Sequence, residues 1–469
     1  MNDKNYELRR NSIGPMQLVC FVIAAAGPLA ATVGASPAAF SFGNGLGVPA
    51  VYAFVGLMYL IFSIGFMAMS KHVKSAGAFY SYVALGLGNA SGLGAAFVAV
   101  VTYTTVQCAI YGLFGLMLEE MLSGPLGVQV PWWVYSLGAL FLVHLCGSRN
   151  IDFNAKLLLV LMAGEVASLL LFDLVALLSA DGHAEVVGEV VALSNIFSPG
   201  LGITIIFAVT CFLGFEATAI YAEEVRNPEV NVPKATYISV IVIALVYTLS
   251  TASLVLGYGV HEVVDAAKNA PASFVFDINT AYVGEFSTRI MSVLLVTSLF
   301  AALLSFHNAL VRYYHALAKV GVLPKKFAEV NPVHQIPTNA GALQSITALL
   351  LVGGFAVMQQ DPFAILYSWM STISTIGLLF VQLLVMVAVI GYFLRNKHQV
   401  SMRRGLLAPG LAALCLLACL VLVIANLNLL SGSESWVAYS FPMLIAFSWL
   451  AGYQLAKSGV RLGEQEVGV

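Results

Sequence analysis

Three ionisable side chains lie inside stretches that are otherwise apolar: Glu165 in LVLMAGEVASLLLFDLVALL, Glu216 in FLGFEATAIYAEE and His307 in LLSFHNALVRYY. Placing a charged side chain at the centre of a membrane helix costs roughly 2.5–3.5 kcal/mol on insertion scales, so such residues point to a task within the membrane. A carboxylate that faces a cavity can load and release a proton, and an imidazole titrates near neutral pH and can gate by pH. Glu216, Glu165 and His307 are therefore the candidates for proton coupling. Each has a plainer alternative: Glu216 as a hydrogen-bonded brace of an interrupted helix, Glu165 as the partner of a polar group on another helix, and His307 as a satisfied core histidine. Asp173, two turns beyond Glu165, reads as a solvated residue near the outer interface, and Arg312 as a side chain that snorkels to water. Tyr103 and Tyr111 in TYTTVQCAIYG stand about two turns apart, with Gln107 between them, so they can share one helix face. An apolar cavity with a few placed polar groups is what a small-molecule site needs. Ser298 and Ser305 can offer oxygens to sodium or simply pack between helices.

Other chemistries are not written in the chain. The eight histidines form no HExxH, and there is no P-loop, no GxSxG and no cysteine–histidine metal spacing. No enzyme, resident metal or cofactor is expected, and a channel would need a ring of pore-lining charges or a filter repeat. The scattered basic residues argue against nucleic acid. A sensor that binds without transporting would share the same site.

The elements that position these residues must be membrane helices. Of the 469 residues 60% are hydrophobic and 9% charged, against about 25% charged in soluble domains, and the mean hydropathy is +0.90. The lipid bilayer is the partner this composition demands. Apolar runs predict twelve spans near 16–42, 48–69, 88–118, 131–147, 157–179, 202–222, 236–259, 288–316, 340–358, 363–394, 406–430 and 436–456. With the N-terminus inside, all but Lys268 and Arg289 of the 21 basic residues fall on the inner side, as the positive-inside rule requires. Both termini are thus expected in the cytoplasm of a multi-pass cell-membrane protein, and the polar start MNDKNYELRRNSIG reads as a tail and not a signal peptide. The six cysteines are expected to be reduced. No feature specifies an oligomer.

Two spans are interrupted. The first reads AAAGPLAATVGASP (24–37), and the sixth carries Gly200, Gly202 and Gly214 before Glu216. A matched pair of Gly/Pro-interrupted segments in two halves is the sequence pointer to an inverted-repeat transporter with a midplane site. The expected organisation is a tail (1–15), a first repeat of helices 1–5 (16–180), a second of helices 6–10 (200–395), accessory helices 11–12 (405–457) and a C-terminal tail (458–469).

Three motifs carry a resemblance. FLGFEATAIYAEEVRNPEVNVPKA (212–235) closely resembles the sixth-helix signature of the amino acid–polyamine–organocation transporters. ALAKVGVLPKKFAEVNPVHQIP (316–337) resembles their loop after the eighth helix, and SAGAFYSYVALGLG (75–88) the lead into their third. The resemblance covers nearly the whole chain. It implies an all-α, five-plus-five inverted-repeat (LeuT-like) fold with helices 1 and 6 broken, alternating access, and amino acids or related amines as substrates, usually coupled to protons or exchange. Carried over residue by residue, it implies substrate contacts at Ala26, Gly27 and Pro28, at Phe212, Phe215 and Glu216, and near Phe306. It tilts Glu223 and Glu224, which can bond loop amides or Lys234, towards a gating role. At the first break many members read G-[SA]-G-I where this chain has G-P-L-A-A-T-V-G, so the break carries over and the individual carbonyl contacts do not. The expected function is proton-coupled amino acid uptake, with an amine permease or an exchanger as the alternative.

Overall fold

The computed structural model describes residues 14–73, 78–127, 129–149, 155–216, 218, 225–331, 333, 336–396, 399–428 and 436–459. Every secondary-structure element among them is helical. Nine helical stretches among the described residues are long and apolar enough to cross a membrane: Pro15–Phe42, Gly45–Ser70, Asn89–Ser123, Leu159–Ser179, Pro228–Tyr258, Glu285–Lys319, Thr338–Val357, Pro362–Arg395 and Arg403–Ala425. Two shorter apolar helices, Trp132–Ser148 and Leu201–Cys211, fall on the expected fourth and sixth runs. The helix Trp436–Lys457 falls on the twelfth.

In chain order the helices that matter are α1 (Pro15–Ala26), α2 (Pro28–Phe42), α3 (Val48–Ser70), α4 (Ala78–Leu87), α5 (Asn89–Leu126), α6 (Trp132–Ser148), α7 (Ala155–Ser179), α8 (His183–Val191), α9 (Leu193–Ile196), α10 (Leu201–Cys211) and α11 (Pro228–Tyr258). There follow α12 (Val263–Asn269), α13 (Phe274–Tyr282), α14 (Glu285–Lys319), α15 (Thr338–Val357), α16 (Ser368–Arg395), α17 (Ala408–Ala425) and α18 (Trp436–Lys457).

The helices turn their apolar residues outward as well as inward. On α7, Leu170, Leu171, Leu174, Leu177 and Leu178 form an exposed stripe at helical spacing, while Glu165, Leu169, Phe172, Asp173 and Ala176 are buried on the other side. A water-soluble helix does the reverse, with its polar face out. The arrangement suits a hydrocarbon solvent, in which acidic groups must find partners inside the bundle. On α17 the stripe is Leu411, Leu414, Leu417 and Val421. The six cysteines are free thiols.

At the centre stands α5. Its 38 residues span about 57 Å at 1.5 Å per residue, more than the ~30 Å hydrocarbon core, so it must tilt or project. It packs against α4, α6, α14, α16 and α18. The broken pair α1–α2 lies among α7, α10, α11 and α14.

Candidate functional site

The first span breaks at one residue. Gly27 adopts the left-handed conformation at φ 54, its N–H closing α1 on the carbonyls of Ile23 and Ala24, and Pro28 opens α2 immediately afterwards. Proline at the first helical position loses nothing, because its missing N–H would have had no intrahelical partner. Pro37, by contrast, lies inside α2 without ending it.

The sixth span breaks more widely. Helix α10 stops at Cys211 and a turn runs from Phe212 to Glu216. Gly214 is at φ 110, where L side chains are strained, and a Cβ there would stand 3.2 Å from the Cβ of Ala25. The two breaks therefore touch, and the glycine is what lets the backbones approach.

Each break has a carboxylate. Glu216 folds back on its own turn: Oε2 accepts the Gly214 N–H at 3.0 Å and Oε1 accepts the Tyr103 hydroxyl at 2.5 Å. Glu165 reaches the first break from α7. Its Oε2 accepts the hydroxyl of Ser298 of α14 at 2.8 Å, and the backbone N–H of Leu29, in the first turn of α2, is its other partner. A carboxylate there complements the partial positive charge of a helix N-terminus. The plainer alternatives weighed for both glutamates thus describe bonds that exist. These bonds also place both carboxylates at the junction of the two breaks.

One residue that sequence reasoning missed joins the breaks. The Tyr247 hydroxyl of α11 lies 3.1 Å from the carbonyl of Ala26, the last residue of α1. It lies 3.2 Å from the carbonyl of Cys211, the last residue of α10. A hydroxyl has one hydrogen to give, so two helix-end carbonyls share it. The available signal was the run YTLSTAS (247–253), a density of hydroxyls that an apolar span does not need.

The other expected site residues divide. Ala26, Gly27, Pro28, Tyr103, Glu216 and Phe306 are all buried around the junction, with the Tyr103 ring 6.0 Å from Phe306 and 5.6 Å from Tyr313. Phe212 lies between the junction and an aromatic cluster on α3, its ring 5.8 Å from Tyr247 and 5.0 Å from Tyr59, whereas Phe215 faces that cluster alone, meeting Tyr59 at 5.0 Å and also Phe62 and Phe66. Tyr111 is buried where α5 meets α6, its carbonyl accepting the Ser136 hydroxyl at 2.7 Å. His307 adjoins a second polar group. There Gln107 donates to the Leu303 carbonyl at 3.0 Å, Gln344 donates to Gln107, and His144 bonds Ser345 at 2.9 Å. The His307 ring lies beside this group, 6.4 Å from His144 with Nδ1 buried and unpartnered, and it fits only because residue 147 is glycine, whose Cβ would meet Nε2 at 2.6 Å. Glu223 and Glu224 lie outside the described residues.

Two expectations need correction. Asp173 is not solvated: it is buried and accepts the Ser250 hydroxyl of α11 at 2.9 Å, because α7 turns its leucines, and not its acids, outward. Ser305 is exposed and bonds the Ala301 carbonyl of its own helix, so of the two serines only Ser298 is at the junction. Among the described residues no group of three or more His, Cys, Asp and Glu side chains is placed to hold a metal ion.

With this geometry in hand, the comparison with known proteins is specific. The family model described as amino acid permease matches residues 17–456. The chain belongs to the amino acid permease family. The resemblance carried by the three motifs is borne out, and the chain is a multi-pass membrane protein of a transporter family. Among its relatives, the branched-chain amino acid permease BcaP of Lactococcus lactis is 23% identical over 361 residues, 72% of this chain and 74% of that protein. The lysine-specific permease LysP of the same species is 27% identical over 247 residues, 47% of this chain and 46% of that protein. The putrescine transporter PotE of Escherichia coli is 27% identical over 167 residues, 35% of this chain and 36% of that protein. The chain thus spans less than half the length of the last two.

Proposed function

We propose that the protein is a secondary active transporter that takes amino acids up across the cell membrane by alternating access, driven by protons. The observation that carries the reading is the junction of the two breaks, where Gly214 meets Ala25 and Tyr247 shares its hydrogen between the two helix ends. Non-helical backbone at membrane depth is tolerated only where it is buried in protein or lines a cavity. The carbonyl ends of α1 and α10 suit an ammonium group, and the N-terminal end of α2 suits a substrate carboxylate that would take the place of Glu165 there, as at other half-helix sites. A zwitterion of amino acid size offers both.

The twelve-span, five-plus-five arrangement (16–180 and 200–395, with 405–457 accessory and the tails 1–15 and 458–469 cytoplasmic) is part of the same proposal. It is supported by the match of the interruptions in the first and sixth runs and by the distribution of basic residues. Glu216 is the proposed proton carrier, since a proton on it would compete with the bonds from Tyr103 and Gly214. Glu165 is the second candidate, and Glu223 and Glu224 are the proposed inner gate. Two buried carboxylates beside one junction also favour a second reading, a cationic amine as substrate, to which the putrescine-transporting relative lends weight.

The deciding experiment is uptake of labelled amino acids and amines into proteoliposomes, with and without an inward proton gradient, for wild type and Glu216→Gln. Gradient-driven accumulation of amino acids that the variant loses is the expected result. Accumulation unchanged in the variant would remove the proton role from Glu216. Exchange without accumulation would make the protein an antiporter, and accumulation of diamines alone would select the second reading.

A further inference from the structure

A cavity of about 1580 Å³ opens where α3 ends, α11 begins and the chain enters α17. Its rim is charged. Lys71 follows the last residue of α3, Glu229 lies in the first turn of α11, and Arg403 and Arg404 stand side by side in the π-turn Arg403–Leu407 that leads into α17. Three cations face one carboxylate, a formal excess of two positive charges. His72 also faces the cavity; burial, and then Lys71 beside it, hold its pKa below the ordinary value, so it adds no charge at neutral pH. The ion pairs among the described residues are His261–Glu185 and Arg289–Glu285, so none of the three cations is neutralised by them. The walls are apolar, with Ile64 on α3 and Leu411 on α17 among them, and Leu411 is also part of the exposed stripe of α17.

We propose that this cavity binds one anionic phospholipid, its phosphate held between Lys71, Arg403 and Arg404 and its acyl chains lying along Ile64 and Leu411. Basic pockets between membrane helices are suited to acidic head groups. A free phosphate would meet only the rim; the volume and the wall that continues into the lipid-facing stripe fit an amphiphile. The cations come from two helices, so the lipid would tie α17 to α3. The inference rests on the chain being a multi-pass membrane protein and is independent of its substrate.

The test is native mass spectrometry of the full-length protein in detergent, titrated with phosphatidylglycerol, with phosphatidylcholine, or with phosphatidylglycerol plus millimolar inorganic phosphate. One phosphatidylglycerol should be retained in preference to phosphatidylcholine and should survive inorganic phosphate. A basic residue at a lipid surface is worth about 1 kcal/mol, a factor of about five, so Arg403→Gln with Arg404→Gln should bind about 25-fold more weakly. Should that double variant fail to elute as folded protein, Lys71→Gln, on a different helix, should bind about fivefold more weakly. Variants that retain phosphatidylglycerol as wild type does, equal retention of phosphatidylcholine, or displacement by inorganic phosphate would each overturn the proposal.

Discussion

The two helix breaks do the same job by different means. At Gly27 the interruption is a single residue, α2 restarts at once, and the carboxylate that steadies it comes from a distant helix. At Gly214 the interruption is a turn of several residues, and its carboxylate is only two positions away in the chain, held in turn by Tyr103 of α5. The first break is short and depends on α7 and α14. The second is longer and is braced from within its own turn as well as from α5. A proton arriving at Glu165 would loosen contacts between helices, whereas one arriving at Glu216 would loosen the turn itself. That contrast is the reason Glu216 is the better proposed carrier: its protonation would act directly on the turn that meets the first break.

The comparison can be broken most severely at Gly214. Gly214→Ala forces a side chain into a conformation costing about 1–3 kcal/mol and sets its Cβ against Ala25. Gly27→Ala is less severe, its Cβ standing 3.3 Å from the Ser298 hydroxyl and 3.4 Å from the Ala30 Cβ. Transport should vanish in the first variant and fall only partly in the second; equal loss would mean the breaks are alike. The next effect in size separates the carboxylates. Glu216→Gln should lose gradient-driven accumulation while Glu165→Gln keeps it with weaker substrate affinity, and proteoliposome uptake with the gradient imposed or collapsed reads the difference. The opposite pattern would transfer the coupling role to the first break.

Tyr247→Phe comes third. It removes the donor that both helix ends share, and leaving buried acceptors unpaired costs about 1–3 kcal/mol. A drop of about tenfold in transport rate corresponds to 1.4 kcal/mol in that range; a rate within twofold of wild type would show that the bridge is idle. Ser298→Ala is the smallest, withdrawing one of the two partners of Glu165 for about 1 kcal/mol, and is best read as a modest fall in the thermal stability of the solubilised protein.

Much of this arrangement was legible in the sequence. Gly27-Pro28 and Gly214 announce the breaks because few other residues permit such backbone, and Glu216 and Glu165 announce themselves because acids are rare in hydrocarbon. What was not legible is pairing across the chain. Tyr247 lies 221 residues from Ala26 and Ser298 lies 133 from Glu165, and no local pattern links them. Asp173 misled because its sequence neighbourhood matches that of a helix end, while its burial depends on which face of α7 meets α11. Phe212 and Phe215 both belong to the break, yet only Phe212 keeps its ring against Tyr247 at the junction, while the turn directs Phe215 onto α3. Position next to a break does not determine which way a side chain points.

The shared hydrogen of Tyr247 has a mechanical consequence. A latch with one tongue and two slots cannot be fully engaged in both. When either half-helix swings outward, the hydroxyl can follow the one that stays, so the movement trades one bond for a better version of another. In the proposed alternating access that donor would keep an acceptor throughout the movement, so the atom that joins the two helix ends here would also lower the step between conformations.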